Sequence, residues 1–210
     1  MNKVLHILEV LDQMFPDANV ELVHHNHFEL LVAVVLSAQT TDISVNKVTP
    51  ALFEKYPTPE LLGQADPKDI EKLIQSIGLY HNKAKNIKLL GQMIHEEFHD
   101  VVPNIREQLE SLPGVGRKTA NVVLSNAFGI PALAVDTHVA RVSIRLGLAK
   151  STDNVLEIEN KLMRKIPKEK WQKTHHQLIF FGRYHCLAKK PKCEACPLFD
   201  ICKYPDKKSN

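Results

Sequence analysis

Lys118 follows a two-glycine turn, and an amine in that position could act as a nucleophile on a substrate that the turn holds. The turn joins two segments with helical spacing and carries Leu112, Gly114, Val115 and Gly116. Glycines remove the side chains that keep a phosphate away from backbone amides, and they tolerate positive φ angles. We therefore predict that these four residues contact a nucleic-acid backbone. A plain connection between two helices remains the alternative, because two-glycine turns are common.

Asp136 lies 18 residues beyond Lys118, immediately before another helical segment. By itself an aspartate in this position is typical of a helix N-cap. A nucleophilic lysine must lose a proton near neutral pH, which requires its pKa to fall by ~2 to 3 units, or ~3 to 4 kcal/mol. A helix N-terminus supplies only ~0.3 to 1 kcal/mol, so we expect desolvation to supply the rest. Asp136 could then accept a proton or stabilise positive charge on a sugar.

Four cysteines could bind one metal centre. Cys186, Cys193, Cys196 and Cys202 are separated by six, two and five residues, and they are all the cysteines of the chain. Such crowding in a reducing compartment favours metal ligation over disulfides. The long first gap suits a [4Fe-4S] cluster, which is wider than a single ion, whereas a structural zinc site is the alternative.

Three lysines occupy the loop between the first two cysteines. Lys189, Lys190 and Lys192 would be held in place if both ends of the loop were ligands of one cluster. Such a loop could contact phosphates, so we predict that it binds DNA. A solvated run of charges is the alternative.

Composition narrows the class of protein. The 210 residues include 27 Lys and Arg and 24 Asp and Glu, for a net charge of +3. Contact with DNA must therefore come from local patches. The longest apolar run, residues 30–36, is far shorter than the ~18 residues that suggest a membrane span. We predict a cytoplasmic protein with no membrane association, and a monomer, because no surplus apolar stripe indicates an obligate dimer.

Helical spacing of apolar residues predicts an all-α fold. Alternating strand patterns are essentially absent, and many prolines fall between the helical segments. The segment Gly129-Ile130-Pro131 interrupts the periodicity and is the best candidate for a crossing between two lobes. Beyond two N-terminal helices, the predicted helices are 45–55, 67–77, 83–98, 105–112, 117–128, 137–146, 155–166 and 170–181.

Four ordered motifs resemble the endonuclease III family of helix-hairpin-helix DNA glycosylases with AP lyase activity. They are LSAQTTD from Leu36, IGLY from Ile77, LPGVGRKTANVV from Leu112 and VDTHV from Val135, followed by the four cysteines. The resemblance covers nearly the whole chain. It implies a six-helix lobe at 21–132 with the helix-hairpin-helix at 105–128. The second lobe would be discontinuous, 1–20 plus 133–210, with the [4Fe-4S] loop at 186–202.

The resemblance also implies a mechanism and a substrate. Lys118 would attack the sugar C1′ of a damaged nucleotide with the assistance of Asp136, and β-elimination through a Schiff base would cut the strand on the 3′ side. The substrate would be duplex DNA that contains an abasic site or an oxidised or ring-saturated pyrimidine, rotated out of the stack. A monovalent cation at the hairpin would accompany bound DNA. The protein would associate with the nucleoid when acting.

The same resemblance assigns Gln39, Ile77 and Leu79 to the gap that the rotated nucleotide leaves in the duplex. Ile77 and Leu79 could instead be core residues, because apolar side chains that flank a glycine often pack inward. The segment His81-Asn82-Lys83 could contact the strand opposite the lesion, and its base preference receives no assignment. Two rival functions stay open: a monofunctional glycosylase of the same fold, and a non-catalytic, metal-stabilised DNA-binding module.

Overall fold

The computed structural model describes residues 2–207, which are helical and contain no strand. This confirms the all-α prediction. The helices are α1 (Lys3–Met14), α2 (His27–Leu36), α3 (Asp42–Lys55), α4 (Pro59–Gln64), α5 (Pro67–Ile74), α6 (Tyr80–Phe98), α7 (Arg106–Ser111), α8 (Arg117–Phe128), α9 (Thr137–Arg145), α10 (Val155–Lys165) and α11 (Trp171–Phe180), with a 3₁₀ turn at Lys168–Lys170 and a π turn at Phe181–His185.

Side-chain caps explain where many of these helices begin. Asn26 accepts a hydrogen bond from the Glu29 amide at the start of α2. Asn154 and Glu157 form a reciprocal capping box at the start of α10. Thr58 and Asp66 cap α4 and α5, each of which has proline at its first position. Capping groups and proline satisfy or remove the amide donors that have no partner inside a helix.

Helix boundaries differ from the predicted ones where local signals outweigh periodicity. Helix α3 begins at Asp42, three residues earlier than predicted, because Thr41 caps it, and it continues through Pro50. Helix α6 begins at Tyr80 rather than at residue 83. Helix α4 was not predicted at all, since its six residues are too few to show a period.

The chain divides into two compact units. One unit is Glu21–Ile130, and the other combines the residues up to Val20 with those from Pro131 onward. The sequence-based boundaries at residues 20 and 132 lie at, or two residues from, these positions. The first unit contains seven helices, α2 to α8, whereas the resemblance implies a six-helix lobe.

Within Glu21–Ile130, α2 is the central element. Residues 28–36 are all buried, and α2 lies against α3, α6 and α8. Helices α4 and α6 cross closely at a glycine pair. A Cβ on Gly63 would lie 2.6 Å from the Gln92 amide nitrogen, and one on Gly91 would lie 2.8 Å from the Pro59 carbonyl oxygen. The crossing therefore requires glycine on both helices.

The other unit has a separate apolar core. It is formed by buried side chains of α1, α9, α10 and α11, among them Leu11, Val139, Leu162 and Leu178, with Phe181 of the π turn. In residues 2–207 the apolar stretches of the helices are too short to span a bilayer.

His176 of α11 gives this second core a pH-dependent stability. Its side chain is buried, and burial, with smaller contributions from His175 and Arg183, lowers its pKa from 6.5 to about 3. The unfolded chain therefore binds a proton between these pH values while the folded chain does not. Stability is complete above pH 6.5 and falls as the pH decreases.

We expect the free energy of unfolding to decrease between pH 6.5 and 5, with His176 contributing at most ~1.4 kcal/mol per pH unit. Urea unfolding of the wild type and of His176→Gln at several pH values measures the slope. The variant, which carries no titrating group there, should show a shallower slope. Equal slopes would show that His176 does not carry the effect.

Candidate DNA-contact site and iron-sulfur centre

The hairpin between α7 and α8 brings backbone close to its neighbours. Gly114 has φ +79°, and a Cβ on it would lie 3.1 Å from the Val35 side chain and 3.2 Å from Asn86. The turn closes with a hydrogen bond from the Val115 amide to the Leu112 carbonyl, at 3.0 Å. A residue with a side chain at position 114 would be both strained and crowded. Glycine is therefore required there by conformation and by space.

Gly116 does not adopt the positive φ that glycine tolerates. Its φ is −97° and its ψ is 178°, which is extended backbone, and it is the N-cap of α8. A Cβ on it would have no heavy atom within 4 Å. No side chain caps α8, so the amides of its first turn face a surface that an anion can approach.

Buried apolar residues anchor the hairpin. Leu112 and Val115 are 2% and 6% exposed, so the predicted DNA contact at these two positions would have to use their backbone groups. The Arg106 side chain donates a hydrogen bond to the Asn121 side chain, which ties α7 to α8. Burial of these two side chains and the Arg106–Asn121 hydrogen bond thus hold the hairpin in place, while its amides remain accessible.

Lys118 is the second residue of α8 and is exposed. Its position on the first helical turn agrees with the sequence-based expectation. The desolvation that we expected for this amine is not supplied by the protein alone. If Lys118 is the nucleophile, bound DNA must exclude water from it.

Asp136 is the N-cap of α9, in the other unit. Its Oδ1 accepts a hydrogen bond from the Val139 amide at 2.8 Å. The carboxylate is half-buried and follows the buried residues 132–135. Burial lowers the pKa of the nearby His138, while Asp136 raises it to a smaller extent. The prediction that Asp136 caps a helix is therefore confirmed. The cap uses Oδ1, so Oδ2 can still accept a proton or stabilise a positive charge.

Gln39 and Leu79 lie in backbone conformations that residues with side chains seldom adopt. Their φ angles are +53° and +60°, and both side chains are exposed, Leu79 by 55%. Ile77 differs, because only 2% of it is exposed and its side chain packs in the core. Ile77 therefore follows the core interpretation of its side chain, while Gln39 and Leu79 are presented to solvent.

The four cysteines line one pocket, together with apolar side chains that include Phe181 and Phe199. In the described part of the chain, no three His, Cys, Asp or Glu side chains, the four cysteines included, lie close enough together to bind a single metal ion, whereas a [4Fe-4S] cluster is wider than one ion. Burial raises the pKa of Cys196, and charge on the other three cysteines raises it further. Four thiolates need a cationic centre to offset their charge, and their spacing of six, two and five residues fits a [4Fe-4S] cluster.

Arg145, which sequence reasoning missed, supports this loop. Its guanidinium lies 3.3 Å from the Cys186 Sγ and donates to the carbonyl oxygens of Leu187 and Ala188 at 2.7 and 3.2 Å. Its Cζ lies 3.9 Å from the centre of the Tyr204 ring. The signal in the sequence was an arginine three residues after Val142, on the buried stripe of α9.

Lys189, Lys190 and Lys192 are exposed on the loop that Arg145 supports. The Lys192 amide donates to the His185 carbonyl at 3.1 Å, and Lys190 has φ +51°. The backbone of the basic loop is therefore held while its three amines project to solvent.

Two family profiles match the chain. The profile of the HhH-GPD superfamily of base excision DNA repair proteins matches residues 32–168, and that of the iron-sulfur binding domain of endonuclease III matches residues 186–202. Endonuclease III of Bacillus subtilis strain 168 is 55% identical over 208 residues, which are 99% of this chain and 95% of the relative. The chain belongs to the endonuclease III family. It is accordingly a DNA glycosylase with AP lyase activity that binds a [4Fe-4S] cluster at Cys186–Cys202.

Solved structures of endonuclease III share its fold. A trapped covalent intermediate of endonuclease III with DNA, an estranged-adenine complex, superposes with a TM-score of 0.93 at 56% identity. A non-covalent endonuclease III–DNA complex gives the same values. Each alignment covers 97% of this chain and 96% of the other.

We expect Arg145→Leu to shorten the lifetime of the cluster, because it leaves two loop carbonyls without their donor, at ~1 to 3 kcal/mol for each unsatisfied group. Visible absorption and iron content during exposure to air or to a chelator measure this lifetime. Arg145→Lys, which keeps the charge but loses the planar fork, should be intermediate. A folded Arg145→Leu protein that retains its cluster as long as the wild type would contradict the prediction.

Proposed function

We propose that the chain removes oxidised or ring-saturated pyrimidines from duplex DNA and then cuts the strand through a Schiff base on Lys118. The observation that carries the proposal is the position of Lys118, an exposed amine on the first turn of α8, directly beyond the uncapped amides of the hairpin. Those amides can hold a phosphate next to the amine. The formation of a covalent intermediate with DNA by a similar endonuclease III gives further support.

The chemistry begins with attack of the neutral Lys118 amine on the sugar C1′. The new C–N bond forms as the glycosidic bond breaks, and the base leaves with the bonding electron pair and takes up a proton. The attacking nitrogen then loses one proton, the C1′–O4′ bond breaks as O4′ takes up a proton, and an iminium forms between the lysine and C1′. Loss of a proton from C2′ breaks the C3′–O bond and releases the downstream strand with a 5′ phosphate, and water finally hydrolyses the iminium and frees the lysine.

Asp136 assists through charge and proton transfer in this proposal. Its Oδ1 is fixed by the Val139 amide, which orients the carboxylate. A carboxylate stabilises the positive charge that develops on the sugar as the base leaves, and it can accept a proton from the attacking amine. In the proposed mechanism, the negative charge of Asp136 also favours the protonated lysine, so exclusion of water by bound DNA must offset this effect.

We propose three kinds of DNA contact. The backbone of Leu112, Gly114, Val115 and Gly116 would hold a phosphate near the lesion, with a monovalent cation bridging them when DNA is bound. Gln39 and Leu79 would fill the gap that the extruded nucleotide leaves, and Lys189, Lys190 and Lys192 would contact the DNA backbone. Ile77 would support the Leu79 turn from the core. We propose a monomer that acts in the cytoplasm, at the nucleoid.

The cluster has a structural part in this proposal. When bound, it supplies four metal–sulfur bonds that hold the loop. The cysteines and Arg145 fix the loop backbone, and the exposed lysines then meet phosphates without a large loss of conformational freedom. No residue of the loop takes part in the covalent steps.

Borohydride should trap the wild-type protein on duplex DNA with an abasic site, because it reduces the iminium to a stable amine. Lys118→Ala should abolish trapping and strand cleavage, whereas Lys68→Ala, which removes an exposed lysine of α5, should leave both intact. Denaturing gels of the protein–DNA adduct measure the outcome. Base release without trapping by the wild type would favour a monofunctional glycosylase, and binding without either reaction would favour a non-catalytic module.

Replacing Lys189, Lys190 and Lys192 together by serine should weaken DNA binding and flatten its dependence on salt. Each lost phosphate contact reduces the slope of log K against log salt concentration by ~1, so we expect a reduction of ~3. Binding titrations from low to moderate salt measure the slope. A matched triple change of Lys55, Lys68 and Lys72 should alter it much less. An unchanged slope in the loop variant would show that these lysines do not contact phosphate.

A further inference from the structure

Lys83 is a buried lysine in the first turn of α6, and the proposed mechanism gives it no role. Only 5% of the residue is exposed, and burial lowers its pKa. Its Nζ donates a hydrogen bond to the Thr40 Oγ1 at 2.5 Å. Burial of an amine is unfavourable, so a chain that retains a lysine here needs a reason beyond packing. The position of its hydrogen-bond partner, Thr40, indicates that reason.

The hydrogen bond joins two segments that share an uncommon backbone conformation. Thr40 directly follows Gln39, which has φ +53°. Lys83 lies one helical turn after Leu79, which has φ +60°, and its amide donates to the Leu79 carbonyl at 3.0 Å. The side chain of Lys83 therefore bridges, over 43 positions in sequence, from the turn that presents Leu79 to the loop that presents Gln39.

Left-handed backbone at residues other than glycine persists only where the surroundings hold it. The Gln39 loop has few other constraints. Thr40 donates its amide to the Ser37 carbonyl at 3.0 Å, and the residue after it, Thr41, caps α3. These contacts are local and do not relate the loop to α6. The Lys83–Thr40 hydrogen bond links this loop to α6 through side chains.

Helix α6 also contacts the hairpin. Asn86, three residues after Lys83, packs against Gly114. A Cβ on Gly114 would lie 3.2 Å from the Asn86 side chain. One rigid helix thus carries the Leu79 turn at its N-terminus, holds the Gln39 loop through Lys83 and touches the phosphate-binding turn through Asn86.

We propose that Lys83 is a positioning residue that locks the Gln39 loop to the Leu79 turn, so that both side chains enter a damaged duplex as one unit. The inference rests on the proposed function, in which Gln39 and Leu79 fill the gap left by the extruded nucleotide. Because the loop is already held before DNA binds, little ordering is needed at the moment of insertion. Lys83 itself does not contact the reacting atoms.

The test compares Lys83→Met with Thr40→Val, because each removes the bond from a different side. We expect each variant to lose about tenfold in affinity for a duplex with a stable abasic analogue, the change expected for one hydrogen bond to a charged group, and to keep its affinity for undamaged duplex. The double variant should lose no more than either single variant. Thr40→Ser, which keeps the hydroxyl, should bind the abasic duplex with the same affinity as the wild type.

A fluorescent base opposite the abasic analogue gives a second readout. Insertion of Gln39 and Leu79 unstacks this base and raises its emission, so Lys83→Met and Thr40→Val should both reduce the rise. A purely structural role for Lys83 would instead lower the midpoint of urea unfolding and weaken binding to damaged and undamaged duplexes alike, which would overturn the inference. Should Lys83→Met fail to fold, Thr40→Val, which leaves the lysine in place, decides the matter.

Gln39→Ala and Leu79→Ala separate this inference from the proposed function. If both reduce binding to the abasic duplex while Lys83→Met and Thr40→Val do not, the side chains insert but the bond does not position them, and the inference is wrong. If neither alanine variant affects binding to the abasic duplex, the insertion itself is wrong, and the proposed function fails at that point.

Discussion

The close approach of backbone at the hairpin is the constraint on which the proposed DNA-contact surface depends. Gly114 can occupy the space between Val35 and Asn86 only because it has no side chain and tolerates a φ of +79°. That packing sets the direction in which α8 leaves the turn. The uncapped amides and Lys118 lie on the same first turn of α8, so a phosphate that these amides held, as we propose, would lie near the amine. A single bulky residue at the turn would displace all of these groups together.

The cysteine loop depends on a different interaction, the buried guanidinium of Arg145. Four thiols crowded into one cavity are unfavourable as thiolates without a positive centre, and the loop carbonyls next to them need donors. Arg145 supplies hydrogen bonds to Leu187 and Ala188 and lies against Tyr204. The bound cluster and this arginine together keep the basic loop in one conformation, whereas a free lysine-rich loop would be mobile.

Much of the chemistry was readable in the sequence because it depends on residue type and spacing. The all-α class, the two-glycine turn with Lys118 and the four-cysteine loop were all predicted, and the family assignment was confirmed. Other features have no local signal. Helix α4 shows no period, and its glycine, Gly63, acquires a purpose only against Gly91 of α6. The burial of Ile77 likewise follows from neighbours distant in sequence.

The sequence by itself determined which groups are available: a lysine after a hairpin, a capping aspartate, and four thiols at fixed intervals. Local covalent geometry and helix periodicity suffice for these, since they involve residues within a few turns of one another. Only the tertiary structure decided which groups meet. Lys83 reaches Thr40 and Arg145 reaches the cysteine loop because packing of helices brings segments some 40 residues apart into hydrogen-bond distance. It also left Lys118 exposed, so in the proposed mechanism bound DNA supplies the desolvation of this amine.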